Sequence, residues 1–397
     1  MRLIHLADFH LGFRQYHRLT PNGINQREAD VALAFRRAID AVVGLQPDII
    51  AIAGDVFHSV RPMNPAIVDA FTQFARLRQA LPDAVIVMVA GNHDRPRSTE
   101  TGCILKLFSK LGIHVVTEEA ERLTFPEREL SILAVPDQMG AALPALTTDS
   151  AARYNVLVLH GEVEGMLPPN ASRGERTPTE ITREALGVAQ WTYVALGHYH
   201  VHREIAPNAF YCGSLDYTSA NPWGELIEER QGGLSGKGFI EFDLGTGHRK
   251  FHPLEPSRRL VDLPQLSARG KSAAELDVEI RERIEACAGG IDDKIVRLVL
   301  RDVPRHIVRE LDHKALRDFK RRALHFHLDA RRPEVIRTSA SGAPGKRATL
   351  VETVESYLSR RPLDGEIDRE ALVRLGLQYL QEAAAVEQAA TSPVPSS

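Results

Sequence analysis

Residues 49–53 (Ile-Ile-Ala-Ile-Ala) run without a polar interruption into Gly54-Asp55-Val56-Phe57-His58. An unbroken apolar run of this length predicts a strand buried on both faces of a sheet. The pattern returns at residues 3–7, 85–90, 155–159 and 192–196, with shorter runs near 113–116 and 131–135. Between the first of these the period changes. Val31, Leu33, Ala34, Ala38, Ile39, Val42 and Val43 fall on one helical face across residues 26–45, and Pro47 ends the pattern. Residues 65–81 predict a second amphipathic helix with Pro65 in its first turn, and residues 101–111 a third. Helices alternate with strands early, and strands crowd together later. The fold class predicted is therefore α/β: two packed sheets with helices on their outer faces, a four-layer αββα sandwich.

Two stretches break the periodicity. Residues 165–178 hold Pro168, Pro169, Gly174 and Pro178, and residues 221–238 are rich in glycine and charge. Both read as long exposed loops. From about Pro256 a smaller α+β domain begins, with helices over 274–288 and 306–322 and strands over 294–301 and 323–330. The chain thus divides into a main domain, 1–255, and a second domain, 256–338. Residues 339–347 form a linker by composition (Ser-Ala-Ser-Gly-Ala-Pro-Gly-Lys). A helical segment, 348–386, follows with two short amphipathic helices at about 349–360 and 368–384. Residues 387–397 read as a disordered tail.

Composition narrows the class without naming it. The 397 residues are 43% apolar and 25% charged with net charge −3, ordinary values for a globular chain. Any anionic partner must be held by a local patch or by metal ions. Three widely spaced cysteines give neither a disulfide framework nor a zinc pattern. No apolar run approaches the roughly 18 residues of a membrane span, and Met1-Arg2-Leu3-Ile4-His5-Leu6-Ala7-Asp8 reads as too short and too early-acidic for a signal peptide. The expectation is a cytoplasmic protein, nucleoid-associated if bacterial.

Histidine changes the picture. Of sixteen, six (His10, His58, His93, His160, His198 and His200) stand just after apolar runs. Five strand ends carry candidate metal ligands: Asp8 and His10; Asp55; Asn92; His160; His198 and His200. Carboxylate, amide and imidazole donors suit manganese, iron, zinc or magnesium, and the lack of thiolates argues against structural zinc. Seven ligands are too many for one ion. Two ions about 3.5–4 Å apart use them economically, and such a pair clamps the attacking and leaving oxygens of an in-line phosphoryl displacement. Singly, each motif is an ordinary turn. In order, each after a buried run, they specify a site. Gly236-Lys237-Gly238 and Gly345-Lys346-Arg347 lack P-loop spacing. His325 and His327 share a strand face with no carboxylate motif nearby, His5 lies inside a strand, and Cys212 reads as packing.

Asp8-x-His10, Gly54-Asp55-x-x-His58, Gly91-Asn92-His93-Asp94, His160-Gly161 and Gly197-His198-x-His200 resemble the calcineurin-like metallophosphoesterase superfamily. Within it the chain resembles the SbcD-type DNA double-strand-break-repair nucleases. Asp8-Phe9-His10-Leu11-Gly12 and Arg27-x-x-Asp30-x-x-x-Ala34-Phe35 carry that likeness. So does Gly54-Asp55-Val56-Phe57-His58, where protein phosphatases of the superfamily have Gly-Asp-x-x-Asp-Arg-Gly. The resemblance spans about residues 1–245 and is looser beyond. It implies that Asp8, His10, Asp55 and His200 bind one metal and Asp55, Asn92, His160 and His198 the other, with Asp55 bridging. The implied ions are two divalent cations, manganese first and magnesium as the alternative. His93 matches the catalytic histidine that stabilises the transition state or protonates the leaving oxygen, Asp94 is placed to orient it, and His58 matches a residue that positions the DNA end. Gly213 and Ser214, in Tyr211-Cys212-Gly213-Ser214, stand as phosphate contacts, with Cys212 where serine is commoner. Lys237-Gly238-Phe239 also fits. The stretch 221–236 is longer than the family pattern and gains no role from it.

Residues 301–347 hold 13 Lys and Arg against 6 Asp and Glu. Arg317, Lys320, Arg321 and Arg322 cluster at one helix end, which suits phosphates or, more plainly, a helix C-terminus that favours cations. Arg321 and Arg322 are the candidate DNA contacts. Leu350, Val354, Leu358, Leu372 and Leu380 lie on apolar stripes of the terminal helices. These resemble docking helices for an SMC-like coiled-coil ATPase of the SbcC type, the alternative being a hairpin folded back on the main domain. The expected protein is a two-metal DNA nuclease acting at DNA ends, with a homodimer implied by the resemblance and exonuclease or endonuclease preference open. A same-fold phosphoesterase for a non-DNA substrate and a non-catalytic DNA-end scaffold are the competing classes.

Overall fold

A computed structural model describes residues 1–96, 102–138, 142–165, 179–333, 350–360 and 368–391. The chain divides into two compact units, residues 1–333 and 334–397. In the first, β1 (Arg2–Leu6), β2 (Ile49–Ile52), β3 (Val85–Val89) and β4 (His114–Val116) run parallel, and β13 (Gly238–Asp243) and β14 (Arg249–Pro253) extend the sheet antiparallel at the β1 side. Leu6 pairs with Ile52 and Ile52 with Met88, so these strands end level. A second six-stranded sheet has the order β11-β12-β10-β7-β6-β5, from β5 (Glu121–Phe125), β6 (Leu130–Val135), β7 (Tyr154–His160), β10 (Tyr193–Gly197), β11 (Arg203–Ala206) and β12 (Ala209–Tyr211). Gly197 pairs with His160, which levels the ends of β10 and β7.

Alternation along each strand explains the apolar runs. Leu3, Ile49, Ala51, Val85 and Val87 face the second sheet, where they meet Ile132, Val156, Val158, Ala195 and Phe210. Ile4, Leu6, Ile50, Ile52, Ile86 and Met88 face the other way, against helices α1 (Gln26–Leu45) and α2 (Asn64–Ala80) through Val31, Phe35, Ile39 and Phe74. With both faces covered, period-two sequences lose their polar half. Asn25 caps α1 by accepting from the Arg27 N–H. The outer face of the second sheet is covered by shorter pieces: a two-stranded β8 (Glu162–Val163) and β9 (Glu180–Ile181), α3 (Arg183–Leu186) and Trp191.

Residues 256–333 build a three-stranded parallel sheet of β15 (Leu260–Ser267), β16 (Ile295–Arg301) and β17 (His325–Ala330), with α5 (Ala273–Glu285), α6 (Arg305–Glu310) and α7 (His313–Arg322) around their own core. The edge strand β15 carries Pro264 at a register shift between Leu263 and Leu266, which hides it from a pattern reading. The single helix expected over 306–322 is two helices. Leu311 turns extended into the core, and Asp312 accepts from the Lys314 and Ala315 N–H groups to start α7.

The loop expected over 221–238 is corrected more fully. It holds α4 (Pro222–Gln231), capped by Asn221 with Pro222 in its first turn. The helix expected over 101–111 is a 3-10 helix, Ile104–Leu111. Residues 166–178 of the other expected loop, and the linker 339–347, lie outside the described residues. In the second unit, α8 (Leu350–Arg360) and α9 (Arg369–Thr391) pack as a hairpin. The run Glu-Ala-Ala-Ala-Val-Glu-Gln-Ala-Ala carries α9 into the expected tail as far as Thr391. Among the described residues no helix is long and apolar enough to cross a membrane.

Candidate metal centre

The level strand ends bring five loops to one rim. The loops after β1 and β2 run together: Asp8 N–H donates to Gly54 O (3.0 Å), His10 N–H to Asp55 O (2.9 Å) and His58 N–H to Leu11 O (3.1 Å). Among the described residues nine non-glycine positions have positive φ, and four of them are Asp8 (54°), His10 (48°), Asp55 (50°) and His198 (107°). Each such conformation costs about 1–3 kcal/mol, so the surrounding hydrogen bonds hold strain where the ligands are displayed. Gly91 is required by approach rather than by φ. A Cβ there would lie 2.1 Å from Asp55 Oδ1.

The donors fall into two groups around Asp55. Ligand atoms of Asp8, His10 and His200 lie within 4.8 Å of one another, as do those of Asp55, His160 and His198. Asp55 Oδ2 stands 3.7 Å from His10 Nε2 in the first group and 3.6 Å from His160 Nε2 in its own. Asn92 Oδ1 completes the second group, 2.9 Å from His160 Nε2 and 3.3 Å from His198 Nδ1. His10 Nε2 and His200 Nε2 face each other at 2.9 Å. Main-chain contacts orient the donors. Asp55 Oδ1 accepts the His93 N–H, leaving Oδ2 turned to both groups. His160 Nδ1 is 2.8 Å from Ala53 O, which fixes the proton on Nδ1 and leaves Nε2 as the donor atom. The donor set therefore fits two hard or borderline divalent cations sharing Asp55.

The crowded, buried ligands shift one another's ionisation in both directions. Burial, with Asp55 beside it, pushes the Asp8 carboxyl up to about 6 against the pull of His200 and His160. Burial lowers His198 to about 3, helped by His160, and lowers His10 well below the usual imidazole range, helped by His200 and His93. His200 goes the other way. Burial would lower it, but Glu225 and Asp8 raise it to about 9.

His58 and His93 stand beside these groups, with ring centroids 4.8–5.4 Å from His10. His93 Nδ1 donates to the His58 carbonyl (2.9 Å), and the two rings stack at 5.2 Å. Phe13 meets His58 edge-on at 5.0 Å. Burial, then His93, lowers His58 to about 4.

Asp94 does not orient His93 as the sequence suggests. Its carboxylate is fully buried and accepts from Val56 N–H (3.1 Å), Phe57 N–H (2.9 Å) and Gly91 N–H (3.0 Å). It ties the Asp55 loop to the Asn92 loop. Burial and Asp55 raise it to about 7. Ser214 is likewise turned inward. It is fully buried, and its hydroxyl is committed to the main-chain carbonyls Asp216 O (2.8 Å) and His200 O (3.3 Å). Gly213, at φ +83°, packs against the same loop, where a Cβ would meet His200 O at 2.9 Å. Arg321 and Arg322 are on α7, paired with Asp318 and Asp292.

Three groups behind the site escape a strand-end reading. Arg27 is buried and donates to Asp30, Asp216 and Tyr217 O, stapling α1 to the segment after β12. Arg258 reaches Asp30 from the three-stranded part. Glu225, Glu229 and Lys237 form a buried cluster under His200. Buried charges in sequence signal such a network only once α4 is recognised.

His5, His325 and Cys212 take structural places. His5 lies 3.0 Å from Tyr193 Oη and 3.2 Å from Leu196 O, and burial lowers it to about 3. His325 stacks on Tyr16 at 3.9 Å, and Cys212 is core. In the terminal hairpin Val354, Leu358, Leu372 and Leu380 are half-buried, Leu358 lying against Gly376. Among the described side chains of the hairpin, the large exposed apolar ones are Val351, Tyr357, Leu375 and Tyr379; the Leu350 side chain lies outside the described ones.

Residues 1–207 match the calcineurin-like phosphoesterase family. The chain is 27% identical over 259 residues to a DNA double-strand break repair protein Mre11 of Methanococcus maripaludis, covering 62% of this chain and 63% of that protein. An Mre11 of Methanocaldococcus jannaschii is 26% identical over 255 residues, with the same coverage. One of Methanopyrus kandleri is 27% identical over 329 residues, 76% of this chain and 65% of that protein. The chain thus spans less than two thirds of the length of these relatives.

Proposed function

This chain belongs to the calcineurin-like phosphoesterase family, and from that premise we propose that it is a two-metal DNA nuclease working at or near DNA ends in double-strand-break repair. The observation that carries the reading is Asp55 Oδ2, within 3.7 Å of donors in both ligand groups. Asp8, His10, Asp55 and His200 hold one cation, and Asp55, Asn92, His160 and His198 the other; manganese is the proposed metal. When bound, the pair supplies Lewis-acid stabilisation for in-line displacement at a phosphodiester.

The chain's own residues do the rest. His93, anchored through Nδ1 to the His58 carbonyl, presents Nε2 to the leaving 3′-oxygen and delivers a proton there. His58, braced by Phe13, shapes the approach of the DNA end. Asp94 keeps the Asp55 and Asn92 loops in register. DNA specificity is supported by the names of the relatives and by the basic patch of Lys314, Arg317, Lys320 and Arg321 on α7. An SMC-like ATPase partner is supported by the exposed Val351, Tyr357, Leu375 and Tyr379 of the terminal hairpin. Exposed Leu33 and Val68 on α1 and α2 supply apolar surface for a homodimer. Residues 256–333 serve as the cap over bound DNA, and 339–347 as the linker to the docking hairpin. The test compares manganese-dependent hydrolysis of end-labelled duplex DNA with that of a small phosphodiester. Faster turnover of the small ester would transfer the enzyme to another substrate class.

A further inference from the structure

We infer that Glu225 is a positioning residue that fixes the metal-binding face of His200, and that α4 is built to hold it there. The inference rests on the two-metal reading and deepens it.

His200 is gripped on two sides. Its carbonyl accepts from Ser214 N–H (3.1 Å), Ser214 Oγ (3.3 Å) and Lys237 Nζ (2.7 Å), which fixes the backbone. Its ring points Nε2 at His10 and the Asp8 group, and Nδ1 away from the rim. Glu225 Oε1 is 3.6 Å from that Nδ1. Neither atom has any other hydrogen-bond partner, and both are buried. A buried ring nitrogen and a buried carboxylate oxygen, each without another partner, face each other 3.6 Å apart as an ion-pair contact, about 0.5 Å outside hydrogen-bond distance. A carboxylate facing Nδ1 places the single proton of the neutral ring there, orients the ring and makes Nε2 a more basic donor to a cation.

Glu225 is itself held. Its other oxygen pairs with Lys237 Nζ, which also meets Glu229 Oε1 at 3.1 Å and lies 4.6 Å over the Tyr217 ring. Tyr217 Oη donates to Glu229 at 2.5 Å. One lysine thus fixes the His200 backbone and the carboxylate that fixes the His200 ring. Trp223, two residues before Glu225, packs on Ile295 and Leu324 of the three-stranded part, which anchors the start of α4.

The test measures binding of Mn²⁺ to the full chain by titration calorimetry, with electron paramagnetic resonance reporting whether two ions are exchange-coupled. Glu225→Gln is expected to weaken one of the two ions by about 10–100-fold, leaving an uncoupled single-ion signal at limiting metal. Glu229→Gln, on the same helix and the same lysine but off the His200 ring, is expected to lower the melting temperature while keeping the coupled pair. Glu225→Asp is expected to recover part of the lost affinity. Wild-type binding of both ions by Glu225→Gln, or equal loss in Glu229→Gln, would overturn the inference. Failure of the wild-type chain to bind two ions would instead overturn the two-metal reading.

Discussion

His93 donates its Nδ1–H to the main-chain carbonyl of His58 at 2.9 Å, so two loops that begin on different strands share one imidazole. This contact commits Nδ1 and leaves Nε2 as the ring nitrogen for the proton transfer proposed above. His93→Ala is expected to cut DNA at least about 100-fold more slowly, the lower range for losing a general acid, with an unchanged Mn²⁺ isotherm. Single-turnover cleavage beside calorimetry checks both. Wild-type turnover would remove His93 from the chemistry.

Asp94 makes a different prediction from the one its neighbour suggests. Three main-chain N–H groups converge on its carboxylate. Hydrogen bonds to a charged group contribute about 1.5–3 kcal/mol each, and the amide of Asp94→Asn must turn a donor toward other donors. The variant is expected to unfold at clearly lower denaturant concentration and to bind metal more weakly. Slower cutting with intact stability would mean that Asp94 acts through His93 after all.

Arg27 separates buried from exposed ion pairs. Its guanidinium is 1% exposed between Asp30 and Asp216. Removing one partner of such a group costs about 3–5 kcal/mol, whereas an exposed pair such as Arg76–Asp40 contributes about 0–1 kcal/mol. Urea melts of Arg27→Met and Arg76→Met should differ accordingly. Similar small losses in both would contradict the stapling role.

The metal-free chain should lose stability in acid through His5. Burial lowers this imidazole from 6.5 to about 3, so between those values the unfolded chain binds the extra proton. Stability is then fully present above about pH 6.5 and is lost as pH falls toward 3. His10, His58 and His198 are shifted the same way. Asp8, Asp94 and His200 are shifted upward and act with the opposite sign, so the check is a difference: in thermal melts at pH 7, 6 and 5, His5→Gln, which takes up no proton, should gain stability relative to wild type as pH falls.

What the sequence makes legible follows from period and position. Strands buried on both faces announce themselves as unbroken apolar runs, and their level ends make Asp8, Asp55, Asn92, His160 and His198 readable as one rim. Side-chain direction is not readable in that way. Asp94 and Ser214 sit in loops where a polar residue can face the rim or the backbone, and tertiary hydrogen bonds turn both inward. Helix α4 is obscured because Gly232, Gly233 and Gly236 follow a polar, low-amphipathicity stretch, and beyond the buried Pro222 and Trp223 of its first turn the residues it buries are Glu225 and Glu229. A helix that buries carboxylates against a lysine leaves no hydrophobic stripe to detect. Strand β15 is hidden for a related reason, Pro264 interrupting its alternation.

The central claim is that Asp55 joins two cations in a nuclease site. The most direct measurement counts Mn²⁺ bound per chain for wild type and Asp55→Asn and follows cleavage of end-labelled duplex DNA in the same samples. The account predicts two ions and cleavage for wild type, with loss of the paired ions and of cleavage in the variant. Cleavage by Asp55→Asn at the wild-type rate, or two ions bound equally well without that carboxylate, would contradict it.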